Sequence, residues 1–185
     1  MIELRQIERA DSRRLFDWRL EPEVDRWMYS SPPSETAHAA WFEGFLQDDD
    51  RAGWIVLEKG APCGSMMLEG VSHPQRRAKL NWYIGEAAAR GRGAGRAAQA
   101  LGLDLAFTLY DLRKVWSEVV VGNEAALKAL AASGFRREGY LRRHQFKGGQ
   151  EQDVVLLGVL AGEWAARRAA IRKGLETSGL IRAGG

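Results

Sequence analysis

Residues 90–96 read Arg-Gly-Arg-Gly-Ala-Gly-Arg and lie between an apolar, strand-like run and an alanine- and leucine-rich run. In a strand–turn–helix unit, such a turn presents unpaired backbone N–H groups and the positive end of a helix dipole. Glycine also lets the backbone approach a ligand closely. The residue types therefore predict a loop that binds phosphate, and the alternative is a basic surface loop with no ligand.

Two common nucleotide-binding fingerprints fail at this loop. A P-loop requires lysine and then serine or threonine after its last glycine, whereas Arg96 and Ala97 follow Gly95. In a dinucleotide-binding loop that starts at Gly91, the third glycine would fall at position 96, which is arginine. The phosphate, if one binds, belongs to another class of ligand.

Two further side chains could take part in proton transfer. Glu118 lies in the middle of an apolar strand-like run, so it requires a role as a general base or a salt bridge to an arginine. His38 has a suitable pKa, but its spacing places it on one helical face with Trp41 and Phe42. His38 therefore either packs in the core or contacts a substrate.

Other patterns restrict the chemistry. Trp27, Met28 and Tyr29 form an aromatic segment near prolines, which is either a platform for a planar ligand or part of the core. Cys63 is the only cysteine, which excludes an internal disulfide, and we expect it to be structural. His and Cys residues show no metal-ligand spacing, so we predict no metal.

The elements that would position these residues alternate between strand and helix patterns. The predicted strands cover 2–8, 54–59, 64–71, 78–86, 113–121, 135–146 and 151–160. The predicted helices cover 11–20, a segment from Ser34 to the Asp-rich run at 48–50, 94–109, 123–133 and 162–174. Short connections predict an antiparallel meander, a right-handed parallel β-α-β unit over 78–121 and a C-terminal hairpin. This is a mixed α/β (α+β) sheet.

Composition indicates a globular enzyme-sized chain of 185 residues, which we divide into one domain over 1–175 and a flexible tail over 176–185. The net charge of +3 lies entirely in the segment after residue 162. A neutral body argues against nucleic-acid binding. The chain has no apolar run long enough for a membrane span, and its start lacks the apolar centre of a signal peptide, which predicts a cytoplasmic protein.

The loop and a later segment together resemble the GCN5-related N-acetyltransferase (GNAT) superfamily. Its motif [QR]-x-x-G-x-[GA] is similar to Arg90–Gly95, and its second signature resembles Asn123-x-x-Ala126 followed by Gly134-Phe135. The resemblance implies a seven-stranded GNAT fold with helices on both faces, and acetyl-CoA as cofactor. It also implies direct attack of an amine on the thioester.

The resemblance places the cofactor residue by residue. The end of the fourth strand would lie beside the pantetheine and thioester, the loop would hold the pyrophosphate, and the next helix start would contact the cofactor arm or only cap its helix. The implied cofactor residues are Tyr83, Ile84, Gly85, Arg90, Gly91, Arg92, Gly93, Ala94, Gly95, Arg96 and Asn123.

The N-terminal half resembles a subgroup that contains the sugar-nucleotide N-acetyltransferase of pseudaminic acid biosynthesis, which serves flagellin glycosylation. The resemblance implies an acceptor in which the 4-amino group of a UDP-linked amino-dideoxy sugar is acetylated. Residues implied to bind this small-molecule substrate are Arg19, Trp27, Met28, Tyr29, His38 and Trp41. The sequence leaves the oligomeric state as monomer or homodimer.

One position departs from the family pattern. The tyrosine that usually protonates the leaving thiolate is replaced by Leu130, so Tyr83 and Tyr140 become candidates for the acid and Glu118 for the base. Two alternatives therefore stay open. One is acetylation of a protein N-terminus or another small amine, and the other is an acyl-CoA-binding module without catalysis.

Overall fold

Seven strands form one mixed sheet in a computed structural model that describes residues 1–32 and 34–182. The strands are β1 (Ile2–Gln6), β2 (Arg51–Glu58), β3 (Ala61–Glu69), β4 (Arg77–Ile84), β5 (Lys114–Val120), β6 (Arg136–Lys147) and β7 (Gln150–Leu160). Their order is β1-β2-β3-β4-β5-β7-β6, and only β4 and β5 pair in parallel. The predicted meander, parallel crossover and C-terminal hairpin are confirmed.

In the described part of the chain, six α-helices cover both faces of the sheet, and helices on both faces were predicted. They are α1 (Ser12–Leu20), α2 (Pro22–Asp25), α3 (Glu35–Leu46), α4 (Ala94–Thr108), α5 (Glu124–Ala132) and α6 (Ala161–Thr177). Ser34 caps α3 by accepting a hydrogen bond from the Ala37 N–H at 3.1 Å. Pro22 starts a short helix instead of an irregular run, because proline fits the first helical turn, where its missing N–H has no partner to lose.

Side-chain alternation in the central strands builds a separate core on each face of the sheet. Met66 and Leu68 of β3 are fully buried on the face that α4 covers. The intervening Met67 packs on the opposite face, with the cluster formed by α1, α3 and β2. The larger of the two cores holds α4 against the sheet, and this fixes the position of the turn before α4.

An acidic side chain in α4 connects this helix to α6. Asp104 accepts hydrogen bonds from Trp164 Nε1 at 3.0 Å, from Arg168 Nε at 2.6 Å and from Arg172 Nη1 at 2.6 Å. Its side chain is 13% exposed and that of Arg172 is 15% exposed. Asp104 is therefore a charged hub between two helices, and no pattern in the sequence predicted it.

The segment after α6 packs back onto the sheet and onto the loop before α4. The Ile2 N–H donates to the Leu180 carbonyl at 2.6 Å, and Ile181 is buried. Within the segment predicted as a flexible tail over 176–185, the side chains of Leu180 and Ile181 pack in the core. The last three positions of this segment, 183–185, lie outside the described residues.

Candidate active site

The two parallel strands separate soon after they pair, and this separation opens a cleft. The ladder between β4 and β5 covers only Arg77–Lys79 and Lys114–Trp116. Ser117 Oγ then donates to the Leu80 carbonyl at 2.9 Å, which satisfies that carbonyl where the ladder ends. Beyond this point β4 stays paired with β3 and β5 with β7. The free edges of both strands therefore face one another across a gap.

This gap continues into a cleft of about 680 Å³. One end, which we call the glycine end, is lined by Gly91, Gly93 and Gly95. The other, the aromatic end, is lined by Trp27, Met28, Tyr29 and Trp41. The structure thus brings the predicted loop and the predicted aromatic platform into the lining of one cavity.

Backbone geometry at the glycine end suits an anion. Gly91 and Gly93 adopt φ values of 72° and 90°, which favour glycine, and Gly93 immediately precedes α4. Among the described residues, no side chain caps this helix, and the N–H groups of Ala94, Gly95 and Arg96 have no hydrogen-bond acceptor. These groups and the helix dipole form an anion site.

The three arginines of the loop have different roles. Arg90 Nε donates to the Ile84 carbonyl at 2.9 Å, so its side chain fastens the loop to the end of β4. Arg92 donates to the Ala88 carbonyl at 3.1 Å and pairs with Glu58 at 3.4 Å. Arg96 lines the cleft. Of the three guanidinium groups, that of Arg92 has an ion pair within the described part of the chain, whereas those of Arg90 and Arg96 have none.

Two predicted cofactor residues have structural contacts instead of a place in the cleft wall. A Cβ atom at Gly85 would lie 2.2 Å from the Trp18 ring, so glycine is required there by close packing. Ala94 is buried below the loop, and only its N–H group belongs to the anion site. Gly85 and Ala94, like Arg92, therefore support the loop from outside the cleft wall.

Asn123 has one of the two roles that the sequence left open, that of a helix cap. Its Oδ1 accepts a hydrogen bond from the Ala126 N–H at 3.2 Å, which caps α5. The residue also lines the cleft beside Val120. The structure shows the cap, and a contact between Asn123 and the cofactor stays a prediction.

Glu118 is bound by a lysine that sequence reasoning missed. Lys79 Nζ lies 2.6 Å from Glu118 Oε2, and the two side chains are 21% and 12% exposed. Burial raises the pKa of Glu118, but the Lys79 ammonium and the neighbouring Tyr29 hydroxyl outweigh burial and lower the pKa below its ordinary value. Glu118 is therefore ionised and held in place. The predicted salt bridge exists with lysine instead of arginine.

His38 lies at the cleft wall among aromatic rings. Its ring packs against Phe16 and Trp41 with centroid distances of 5.4 Å each, and the residue is 5% exposed. Nε2 lies 3.0 Å from the Ser12 carbonyl, which can only accept, so Nε2 carries the proton and Nδ1 is the basic nitrogen. Burial lowers the pKa of His38 below its ordinary value of 6.5. His38 thus packs among core aromatic rings and also lines the cleft, and contact with a substrate stays a prediction.

Tyr83, Tyr140 and Leu130, which bear on the identity of the general acid, lie in three different environments. Tyr83 lines the cleft, and burial raises the pKa of its phenol well above the ordinary value. Tyr140 lies on β6 outside the cleft, is 56% exposed and donates to Asp153 at 2.5 Å, which corrects its prediction as a cleft residue. Leu130 is fully buried, and the α5 surface beside the cleft consists of Asn123 and alanines.

A family model described as an acetyltransferase (GNAT) domain matches residues 2–136. The chain belongs to the GNAT family. It is therefore an acetyl-CoA-dependent N-acetyltransferase, and the GNAT fold, the enzyme class and the cofactor inferred from the loop are confirmed. The separated strands, the uncapped helix start and the paired glycines with positive φ all fit a cofactor that carries a pyrophosphate.

Known relatives share most of the chain length. The spermidine N(1)-acetyltransferase of Escherichia coli (strain K12) is 25% identical over 166 residues, which is 89% of each chain. An uncharacterized N-acetyltransferase p20 of Bacillus licheniformis is 27% identical, covering 88% of this chain and 94% of its own. The spermidine N-acetyltransferase of Vibrio cholerae, solved with CoA and spermine, has a TM-score of 0.82 at 23% identity, covering 89% of this chain and 98% of that one.

Two further findings concern metal sites and membrane spans. Within residues 1–32 and 34–182, His, Cys, Asp and Glu side chains form no group of three that could hold a metal ion. None of the helices in the described part of the chain has the length and hydropathy of a membrane span.

Leu180, in the segment after α6, is a contact of the glycine end that the sequence gave no reason to expect. A Cβ atom at Gly93 would lie 2.7 Å from Leu180 Cδ1, so this leucine closes the back of the loop. We expect Leu180→Ala to raise the KM for acetyl-CoA about 3- to 10-fold, since a loss of about 1 kcal/mol corresponds to roughly fivefold. Initial-rate kinetics should show kcat within about twofold, because the aromatic end is untouched.

The control for that measurement is Leu109→Ala, which removes the same atoms from a leucine that is 65% exposed at the other end of α4. An unchanged KM for acetyl-CoA in Leu180→Ala would show that the segment after α6 does not help to position the loop.

Proposed function

We propose that this acetyltransferase acetylates a primary amine of a small molecule that binds at the aromatic end of the cleft. The observation that carries the proposal is the arrangement of one continuous cavity, with an anion site at the glycine end and aromatic and charged side chains at the other. Acetyl-CoA supplies an acetyl group activated as a thioester, which a neutral amine attacks directly.

The glycine end would hold the cofactor. Its N–H groups at residues 94–96 would bind the pyrophosphate, and Arg96 would add a positive charge. The free backbone edges of β4 and β5 would flank the pantetheine arm, with Tyr83 and Ile84 on one side and Val119 on the other. These roles rest on the geometry of the cavity and on the family to which the chain belongs.

Glu118 would bind the acceptor amine. A carboxylate whose pKa is lowered stays ionised and stabilises a nearby ammonium, but it is a weak proton acceptor at neutral pH. The Lys79 contact fixes its side chain, so its position does not depend on the acceptor. We therefore replace the predicted base role of Glu118 with a role in amine binding.

His38 would accept the proton of the amine, and Tyr83 would protonate the leaving thiolate. The His38 imidazole is neutral at pH 7 because its pKa lies below 6.5, and Nδ1 is its free basic nitrogen. The raised pKa of Tyr83 keeps its phenol protonated, as a donor requires.

We expect kcat at saturating acceptor to fall as the pH drops through the His38 pKa, with a midpoint below 6.5, because only the neutral imidazole accepts a proton. Replacement by glutamine, which can still donate to the Ser12 carbonyl, should remove this acid limb and lower kcat about 100-fold. A pH–kcat profile of both proteins tests this. An acid limb that survives in His38→Gln would assign the titration to another group.

Two acceptor classes follow from different observations. The amino sugar nucleotide implied by the sequence resemblance suits the aromatic end, where Trp27 and Tyr29 offer planar surfaces to a uracil ring or a sugar. A polyamine is the second candidate, because relatives are named for spermidine and because Glu69 lines the cleft. Within the described part of the chain, Glu69 has no ion pair and could receive an ammonium group.

Thiol release from acetyl-CoA, followed with a thiol-detecting reagent, tests the proposal. The acceptors are a UDP-linked 4-amino-4,6-dideoxy sugar, spermidine and a peptide with a free N-terminus. We expect release with at least one of the two small molecules and not with the peptide. Release with the peptide alone would overturn the proposal in favour of protein acetylation, and CoA binding without any release would favour a non-catalytic module.

A further inference from the structure

We infer that Arg19, at the aromatic end of the cleft, binds an anionic group that the acceptor carries in addition to its amine. This inference rests on the proposed function, and it narrows the acceptor from any primary amine to an amine that also bears a carboxylate or a phosphate. The argument begins with how the Arg19 guanidinium is held.

Arg19 lines the cleft with a guanidinium that the protein leaves incompletely paired. Nη2 donates to the Ser30 carbonyl at 2.5 Å, which fixes the plane of the group. Nε is buried and has no hydrogen-bond partner among the described residues. In the same part of the chain no carboxylate lies within ion-pair distance of Arg19. A cation whose donor is withdrawn from water without an acceptor is costly unless a ligand completes it.

The nearby carboxylates are already neutralised by other cations. Asp25 pairs with Lys147 at 3.0 Å, and Glu118 pairs with Lys79 at 2.6 Å. The Arg19 charge acts on Asp25 and helps to lower its pKa, but within the described residues Arg19 forms no ion pair with it. The Arg19 guanidinium, which lines the cleft, can therefore still pair with an anion of the acceptor.

A second polar side chain lines the same cleft. Ser65 is 1% exposed, and its hydroxyl lies beside the hydroxyl of Tyr83. Ser65 lies directly opposite Tyr83 in the β3–β4 register, and the Arg19 charge acts on the Tyr83 phenol and on His38. The Arg19 guanidinium and the hydroxyls of Ser65 and Tyr83 thus line the same cleft, and all three can donate to an oxyanion.

The chemistry of guanidinium groups sets the ligand class. Arginine donates two parallel hydrogen bonds to a carboxylate or a phosphate, and its charge repels ammonium groups. A linear polyamine has no group that could use this donor set. A sugar phosphate, a sugar nucleotide or an amino acid has both an amine and an oxyanion.

The test compares acceptors that differ only in the anion. Glucosamine and glucosamine 6-phosphate form one pair, and butylamine and 4-aminobutyrate form the other, with spermidine as a polycation. We expect kcat/KM to be about 10- to 100-fold higher for at least one anionic member than for its neutral partner, the range of a charged hydrogen bond. A preference in the glucosamine pair would identify phosphate as the anion that is bound, and a preference in the butylamine pair would identify carboxylate.

Variants assign the preference to this residue. Arg19→Gln should abolish the preference, so that kcat/KM for the anionic member is no higher than for its neutral partner in the same variant, and Arg19→Lys should retain part of the preference. The matched control is Arg14→Gln, which removes the same charge from an exposed arginine of α1 outside the cleft. A preference that persists in Arg19→Gln, or no preference in either pair, would overturn the inference.

A binding measurement separates this inference from the proposed function. Calorimetric titration of glucosamine 6-phosphate and 4-aminobutyrate into the CoA-saturated protein detects the subsite without any acetyl transfer. Heat that is lost in Arg19→Gln supports the subsite even if no probe is acetylated, in which case the proposed function alone fails. Absence of both binding and acetylation with either anionic probe would contradict the subsite.

Discussion

Gly95→Asp is expected to raise the dissociation constant of CoA about 30- to 700-fold, because it places a carboxylate at the anion site. Like charges 4–8 Å apart repel by about 2–4 kcal/mol at an effective dielectric constant near 20. Gly95 is the second residue of α4 and lines the cleft, and the N–H groups beside it are free. Calorimetry with CoA measures the loss directly.

Gly95→Asp is expected to weaken CoA binding without lowering the free energy of unfolding. An aspartate in the first turn of a helix interacts favourably with the helix dipole, so the free energy of unfolding should not fall. The control is Gly95→Ala, since a Cβ atom here would lie 3.5 Å from Trp82 Nε1, an ordinary contact distance. Alanine also occurs at this position of the family motif. CoA binding to Gly95→Asp with wild-type affinity would show that the pyrophosphate lies elsewhere.

Gly93 is a poorer place for the same test, which illustrates what the loop sequence could not reveal. Residue types and spacing predicted that Arg90–Arg96 binds a phosphate, and the helix start and glycine φ values have the expected form. A side chain at Gly93 would however collide with Leu180, which is 87 positions away in the chain. Contacts at such separation depend on how α6 returns to the sheet, and local pattern contains no record of it.

The aromatic end shows the same limit at the level of side-chain pairing. The mid-strand position of Glu118 predicted a partner or a function, and the strand prediction was sufficient for that. The identity of Lys79 as the partner depends on the parallel register that sets Lys79 beside Trp116. Because side chains alternate along a strand, a shift of one residue would have placed Lys79 on the opposite face. Parallel register is not encoded by any turn between the strands, so it had to come from the structure.

The same difference between local pattern and topology explains where Tyr140 and the segment after α6 lie. Tyr140 was proposed as an acid from its place on the strand after α5, but β6 is the outer strand of the sheet and lies beyond β7. Strand order therefore carries Tyr140 away from the β4–β5 gap. The segment 176–182 was expected to be flexible because it is short and terminal, yet Ile181 is buried and the Leu180 carbonyl accepts a hydrogen bond from the Ile2 N–H. In both cases the location depends on contacts between distant parts of the chain, which local pattern does not record.

Asp104→Ala is expected to lower the free energy of unfolding by about 3–4 kcal/mol, the lower part of the range for breaking a buried ion pair from one side, because one of its arginines is partly exposed. The alanine leaves Arg172 with a side chain only 15% exposed and no carboxylate, and it leaves the Trp164 indole N–H without its acceptor. Urea denaturation with an unchanged m-value would identify the effect as lost stability.

Two companion variants make that measurement specific. Asp17→Ala removes an exposed carboxylate from the i,i+4 pair with Arg13 and should cost less than about 0.5 kcal/mol. Asp104→Asn keeps an acceptor for Trp164 but loses the charge, so its cost should fall between the two. Because α6 leads into the segment that places Leu180 behind Gly93, Asp104→Ala should also weaken CoA binding. This effect should be seen at urea concentrations below the unfolding midpoint, where the protein is still folded. If Asp104→Ala cost no more than Asp17→Ala, the α4–α6 hub would be no stronger than a surface pair, and α6 would be held by apolar packing alone.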